Sequence, residues 1–321
     1  MNKLKSTSMS PKHKTTIGGQ AIIEGVMMRG PEKIAIAVRK PNKEIELKVE
    51  PVKSLAKRHK IFRLPFIRGV VGLIDALKIG TGALMYSAEF FEDEVVMDKD
   101  GNPKKSFLEK IFKEKAADVE MTIAVVISLA LTIGIFMVLP NLITSIFKNS
   151  IQSPIALNLV EGVLRIVIFL AYVIGVSKME DIKRVFQYHG AEHKSIHCYE
   201  NEMELTVENV KKFPILHPRC GTSFLFMVMV VSILVLSFFG WPNPLLRIVT
   251  RILMFPVIAG ISYEINKYIG RSDTKFCYAL SYPGLMVQKF ATVKEPDDSQ
   301  IEVAIKSLIA VIPEDREADL W

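Results

Sequence analysis

The 27 residues from Met121 to Phe147 contain no charged side chain. A helix needs about 20 apolar residues to cross a bilayer, and a helix on a soluble protein's surface would show a polar face, so this stretch reads as a membrane span. Composition agrees: half of the 321 residues are hydrophobic and the mean hydropathy is +0.27. Three further segments follow the same logic. Ile155–Val176 is the second span, with Glu161 and Arg165 at i, i+4 neutralising each other on one face. Thr222 to about Trp241 is the third. Leu245–Tyr263 is the fourth, with Arg247 and Arg251 in its first two turns and a kink expected at Pro256 and Gly260.

Basic residues orient this bundle. Seven Lys or Arg lie between Ser177 and Gly221, and none in the Phe239–Pro244 turn. The positive-inside rule then places the His-rich loop and both termini in the cytoplasm of a multi-pass protein of the plasma (inner) membrane. The polar, basic start Met1–Lys14 lacks the apolar core of a cleavable signal peptide. The net charge of +7 is explained by topology, because the basic residues are not interleaved with aromatic platforms, and no nucleic-acid partner is expected. The three cysteines suggest no disulfide framework.

Ahead of the spans, Thr15–Pro31 is an apolar run punctuated by glycines, with Glu24 and Arg29 inside it. Ile34, Ile36 and Val38 alternate, as do Ile45, Leu47 and Val49, around Pro41-Asn42-Lys43, which reads as a β-hairpin. Glu24 is expected to pair with Arg29 or another base. Leu64–Phe90 is apolar but carries Arg68, Asp75, Lys78 and Glu89, so it reads as a helix on the membrane surface or packed on other helices, not as a span. Asp98–Asn102 reads as a turn. Phe276–Phe290, broken by Pro283-Gly284, is expected along the membrane surface. Asp297 or Asp298 then caps an amphipathic helix through Ile301, Ala304, Ile305, Leu308, Ile309 and Ile312, whose apolar face must dock on something, a protein partner being one candidate. The expected fold is mainly α: a polytopic membrane protein with four transmembrane helices in two hairpins, a small N-terminal β-rich unit and cytoplasmic helices. Its expected segments are 1–63, 64–118, 119–176, 177–221, 222–265 and 266–321.

Chemistry concentrates in His189–Glu200, which holds three of the six histidines and one cysteine. On a helix His189, His193 and His197 fall at i, i+4 and i+8, within roughly 80° on one face. An i, i+4 pair can reach one zinc-like ion; His197 is another turn away and is either outside the helix or in a supporting role. His189, Glu192 and His193 spell H-x-x-E-H, similar to the inverzincin motif of two metal-binding histidines and a catalytic glutamate. His217-Pro-Arg-Cys220 adds two donors at short spacing. These would close a structural His3Cys site, or leave an open catalytic one with Glu264 as a third ligand. Arg219 would meet an anionic group of substrate or lipid.

The segments Gly18–Pro31 (GGQAIIEGVMMRGP), Tyr188–Glu200 (YHGAEHKSIHCYE), His217–Phe224 (HPRCGTSF), Pro256–Ile265 (PVIAGISYEI) and Pro283–Pro296 (PGLMVQKFATVKEP) resemble the YqhQ-like family of bacterial membrane proteins. The resemblance covers nearly the whole chain. It implies a membrane protein of a family described as uncharacterised or as metal-dependent enzymes, with Glu24, Arg29, His189, Glu192, His193, His197, His217, Arg219, Cys220 and Glu264 in its motifs. It assigns no substrate and no roles.

The expectation is a metal-dependent hydrolase at the cytoplasmic membrane face, with a divalent ion, zinc first, and Glu192 as general base. Its rival is a non-enzymatic membrane scaffold or assembly factor with a structural metal. A transporter ranks behind both, because the polar groups of the first and third spans are mostly serine and threonine.

Overall fold

The computed structural model describes residues 12–54, 59–91, 116–240, 242–272 and 274–320. The Asp98–Asn102 turn lies outside them. Four strands open the chain, β1 (Gly18–Ile22), β2 (Gly25–Arg29), β3 (Lys33–Arg39) and β4 (Ile45–Pro51), paired antiparallel in the order β1-β2-β3-β4. The expected hairpin is β3–β4, with Ala37 opposite Leu47. The glycine-punctuated run supplies β1 and β2. In β2 the alternation is hidden because Val26, Met27 and Met28 are all buried, and a strand covered on both faces loses its period of two; in β1, which is only partly buried, Gly18, Gly19 and Gln20 show none. The two-residue turn between Ile22 and Gly25 holds Glu24 at φ 47, a left-handed conformation that is uncommon for a residue other than glycine.

The helices follow as α1 (Ile67–Ala88), α2 (Ala116–Ile133), which passes through a π-turn at Gly134–Val138 into α3 (Leu139–Ile146), α4 (Pro154–Val176), α5 (Glu180–Glu200), α6 (Val207–Val210), α7 (Gly221–Leu236), α8 (Pro244–Arg271), α9 (Lys275–Val287) and α10 (Asp298–Ile309). Among the described residues five segments are long and apolar enough to cross a membrane: Ile67–Phe91, Thr122–Ile146, Pro154–Val176, Gly221–Phe239 and Pro244–Arg271. Four coincide with the expected spans. The fifth is the charged stretch expected on the surface, and two of its four charges have protein partners: Asp75 is buried and accepts from Ser54 Oγ at 2.7 Å, and Arg68 pairs with Glu264. α8 continues past Tyr263 to Arg271, so Glu264 lies inside the helix rather than at its end.

The chain divides into two compact units, one made of Met1–Phe90, Leu170–Val235 and Leu253–Trp321, the other of Phe91–Phe169 and Leu236–Ile252. The first unit's core lies between the sheet, α5 and α10, where Val26, Met28 and Ala35 meet Tyr188, Ala191 and Cys198 and also Ile301, Ala304 and Leu308. Asp297 and Gln300 form a capping box that starts α10. The amphipathic face of this helix therefore docks on the chain's own sheet and on α5. Burial of a side chain such as Leu308, which is 0% exposed, contributes about 1.5–3 kcal/mol.

Candidate metal centre

The His-rich segment is helical from Glu180 to Glu200, with Glu180 and Asp181 in the favourable first turn. Its inner face is buried because the chain on either side closes over it. Gly190 admits the backbone of Lys294 against the helix, where a Cβ would overlap the Lys294 carbonyl. The Lys294 amide also donates to the Phe186 carbonyl at 2.9 Å. This approach brings the π-turn Gln288–Thr292 alongside His189.

The carbonyl of Thr292 lies 2.9 Å from Nδ1 of His189, and that of Ile215 lies 2.6 Å from Nδ1 of His193. A carbonyl only accepts, so each Nδ1 carries a proton, and Nε2 is the nitrogen of each ring left to face a ligand. Nε2 of His189 points at Sγ of Cys220, 3.2 Å away. One donor atom from each of His189, His193 and Cys220 falls within 4.8 Å of the other two. Burial holds His193 neutral, its pKa lowered to about 4. Burial pushes the Cys220 thiol up, and the Thr222 amide, which donates to its sulfur at 3.4 Å, opposes that push. Two imidazoles turned with Nε2 inward and a thiol sulfur form a donor set that suits zinc, and the carbonyls behind the rings are the usual means of orienting them.

Glu192 borders this cluster. One carboxylate oxygen accepts from the Gly19 amide at 2.9 Å, and the other is buried with no hydrogen-bonding partner among the described residues. Burial raises its pKa to about 7, against the opposing pull of His189 and the Gly19 amide. A Cβ at Gly19 would overlap the Met27 carbonyl and press on the Glu192 carboxylate, so only glycine lets β1 approach that closely. A cavity of about 490 Å³ opens here, lined by Gln20, His189, Glu192, His193, Arg219 and Cys220 among others. Its size is that of a small-molecule site.

His197 and His217 gather with Glu200 in a second cluster. Nε2 of His197 donates to the Leu216 carbonyl at 2.9 Å, and Nδ1 of His217 accepts from the Arg219 amide at 3.3 Å. The Glu200 carboxylate is taken by the Arg219 guanidinium and by the Thr15 amide at 3.0 Å, with His217 Nε2 at 3.6 Å. A guanidinium already neutralises the only carboxylate, so this cluster reads as a bonded network supporting the first. The expected His3Cys set is thus divided: Cys220 joins His189 and His193, while His217 turns to Glu200.

The other sequence candidates stand elsewhere. Glu264 is held by the Arg68 guanidinium and by the Phe66 amide at 3.3 Å, and it belongs to neither cluster. Glu24 pairs with Arg184 instead of Arg29, and Tyr188 Oη donates to it at 3.2 Å. Arg29 lies 4.0 Å from Asp75. Sequence reasoning missed Glu200 and Gln288. Gln288 is fully buried; it accepts from the His217 amide at 3.0 Å and donates to the His217 carbonyl at 2.9 Å. A lone glutamine in the apolar run Phe276–Phe290 was the available signal.

A family model described as "Protein of unknown function (DUF1385)" matches residues 64–314. The chain is similar to the uncharacterized protein YqhQ of Bacillus subtilis (strain 168), with 34% identity over 306 residues, 92% of each chain. No solved structure matches it. Neither match carries an activity, so the enzyme implied by the sequence resemblance rests on geometry alone.

Proposed function

The chain belongs to the DUF1385 family of proteins of unknown function, and on that premise we propose that it is a zinc-dependent hydrolase seated at the cytoplasmic face of a membrane. The observation that carries this reading is the convergence of His189 Nε2, His193 Nε2 and Cys220 Sγ beside a buried carboxylate oxygen of Glu192 that has no partner. Three protein donors with a neighbouring carboxylate are the make-up of a catalytic zinc site, whereas a structural site closes with a fourth ligand. The two candidates for that fourth place are engaged elsewhere, His217 by Arg219 and Glu264 by Arg68. A zinc ion held by these donors supplies Lewis acidity in the cavity. The Gly19 amide fixes one Glu192 oxygen and leaves the other to take a proton from water there. Ile17 and Ile196 line the same cavity and limit its solvent. The substrates this chemistry fits are esters, amides or phosphoesters reaching the membrane surface.

The same reading places four crossings, Thr122–Ile146, Pro154–Val176, Gly221–Phe239 and Pro244–Arg271. The support is parity. The sheet precedes every candidate span, α5 follows three of them and α10 follows all five, yet sheet, α5 and α10 share one core and so share one side of a bilayer. Counting Ile67–Phe91 as a crossing would put an odd number between sheet and α5. Residues 92–115 cannot restore the balance, since 13 of these 24 are charged. α1 then lies along this face, with Gly80 against Gln20 of the sheet and Gly69 against Tyr263 of α8. The basic residues of 177–221 make that face cytoplasmic.

Metal analysis of the purified chain tests the proposal. Wild type should hold one zinc per chain, and His189→Ala and Cys220→Ser should lose it. Glu192→Gln should keep the zinc and abolish function in cells. A zinc-free wild type overturns the metal centre. A fully functional Glu192→Gln variant that keeps its zinc overturns the enzyme in favour of the scaffold.

A further inference from the structure

In the second unit the structure gathers three arginines around one carboxylate. Arg165 Nη2 donates to Glu161 Oε1 at 2.8 Å, Arg251 reaches the same oxygen, and Arg247 Nη1 lies 3.7 Å from Oε2. The side chains of Glu161, Arg247 and Arg251 are 1%, 5% and 9% exposed, so these charges face one another inside the protein rather than reaching toward solvent. Within Thr122–Ile146, Pro154–Val176 and Pro244–Ile252, Glu161 is the one acidic residue. Guanidinium keeps its proton under all ordinary conditions, so these four side chains by themselves sum to two positive charges. Leaving these uncompensated within helices apolar enough to span a membrane would be costly.

Hydrogen bonding points the same way. Arg165 Nε donates to the Phe136 carbonyl, 3.1 Å away in the π-turn, and Arg247 Nη2 to Asn141 Oδ1 at 2.9 Å. Two buried donors, Arg251 Nη1 and Asn141 Nδ2, have no acceptor among the described residues. One acceptor, Glu161 Oε2, is likewise without a hydrogen bond among the described residues, so the donors without a partner outnumber the acceptors. Glu161 and Arg251 each lie seven residues into their helices, about 10 Å from the start at 1.5 Å per residue. The 23-residue helix exceeds the roughly 20 residues that cross hydrocarbon by three, about 4.5 Å, so the cluster stands in the outer third of the span, about 5–10 Å below the headgroups.

We propose that Arg165, Arg247, Arg251 and the Asn141 amide form an anion site that takes a phosphate group, either on a lipid headgroup or as free phosphate. Phosphate brings one to two negative charges and several acceptor oxygens, and the planar fork of arginine matches it. The depth argument rests on the four-crossing topology proposed above; the charge excess does not.

The test uses the full chain in neutral detergent, stripped of lipid, with thermal stability and native mass spectrometry as readouts. Phosphatidylglycerol, phosphatidylcholine and inorganic phosphate are titrated separately. Binding of phosphatidylglycerol over phosphatidylcholine supports the site and assigns a lipid source; binding of inorganic phosphate alone supports it with a free source. Arg251→Gln should weaken the bound species about tenfold or more. Glu161→Gln removes the competing negative charge and should tighten it. Should Arg251→Gln fail to fold, Arg251→Lys keeps the charge, loses the fork and should still weaken binding. The proposal is overturned if none of the three ligands discriminates, or if binding is unchanged in both Arg251→Lys and Glu161→Gln. Zinc content stays at the wild-type level throughout, so failure here is separable from failure of the metal centre.

Discussion

Nε2 of His189 and Sγ of Cys220 lie 3.2 Å apart although 31 residues separate them in the chain. One belongs to α5 and the other to the turn before α7, and the Thr292 carbonyl behind the ring fixes which nitrogen faces the sulfur. This contact turns a pair of histidines at helical spacing into a three-donor site, and it makes a specific spectroscopic statement. With cobalt in place of zinc, wild type should show a thiolate-to-metal charge-transfer band. Cys220→Ser should lose that band, and an unchanged spectrum would remove the thiol from the site.

The closeness of Gly19 to Glu192 bears on both stability and metal. Gly19→Ala must displace the Met27 carbonyl or the Glu192 carboxylate, at a cost of about 1–3 kcal/mol. A lowered melting temperature checks this. Gly18→Ala serves as control, since a Cβ at Gly18 meets nothing within 4 Å.

Gln288 spans the amide and carbonyl of His217 and also donates to Ser223 Oγ at 3.0 Å. Gln288→Leu keeps the bulk but leaves two buried backbone groups unpaired, which should cost about 2–4 kcal/mol. Chemical denaturation measures it, and equal midpoints for variant and wild type would contradict this bracing role.

Leu308→Ala opens a cavity where α10 meets the sheet and α5, and should cost about 2–5 kcal/mol. Because that core joins three distant parts of the chain, both its N-terminal and C-terminal parts should become sensitive to protease together. Loss confined to the C-terminal part would show that the sheet folds without α10.

The four-crossing topology is checked by cysteine labelling with an impermeant reagent on intact cells. Lys43→Cys in the β3–β4 turn and Lys212→Cys after α6 should both be protected, and Asn149→Cys between α3 and α4 should react. Opposite behaviour of Lys43→Cys and Lys212→Cys would require an odd number of crossings between them.

The sequence was most legible where a single local property decides the structure. Uncharged length marks Thr122–Ile146, and the Asp297 cap with its helical apolar spacing marks α10. The β3–β4 hairpin shows in strict alternation. Legibility failed for β2, where burial on both faces erases the period, and for β1, whose Gly18, Gly19 and Gln20 show no alternation; in Ile67–Phe91 the sequence could not name Glu264 and Ser54 as the partners of Arg68 and Asp75. The site was half legible. Helical spacing placed His189, Glu192 and His193 on one face, but spacing alone could not say whether Cys220 or His217 would join them.

By itself the sequence determined which segments are apolar enough for a bilayer, where the His-rich helix lies and which of its residues face one way, because helical period and hydropathy act over a few turns. The tertiary structure alone decided that Cys220 completes the first cluster, that Glu264 goes to Arg68, that Glu24 goes to Arg184 and that three arginines share Glu161. Each of these is a choice among several possible partners for a charge or a lone pair. Such choices are settled by which backbone comes within 3 or 4 Å, a quantity set by the packing of the whole core.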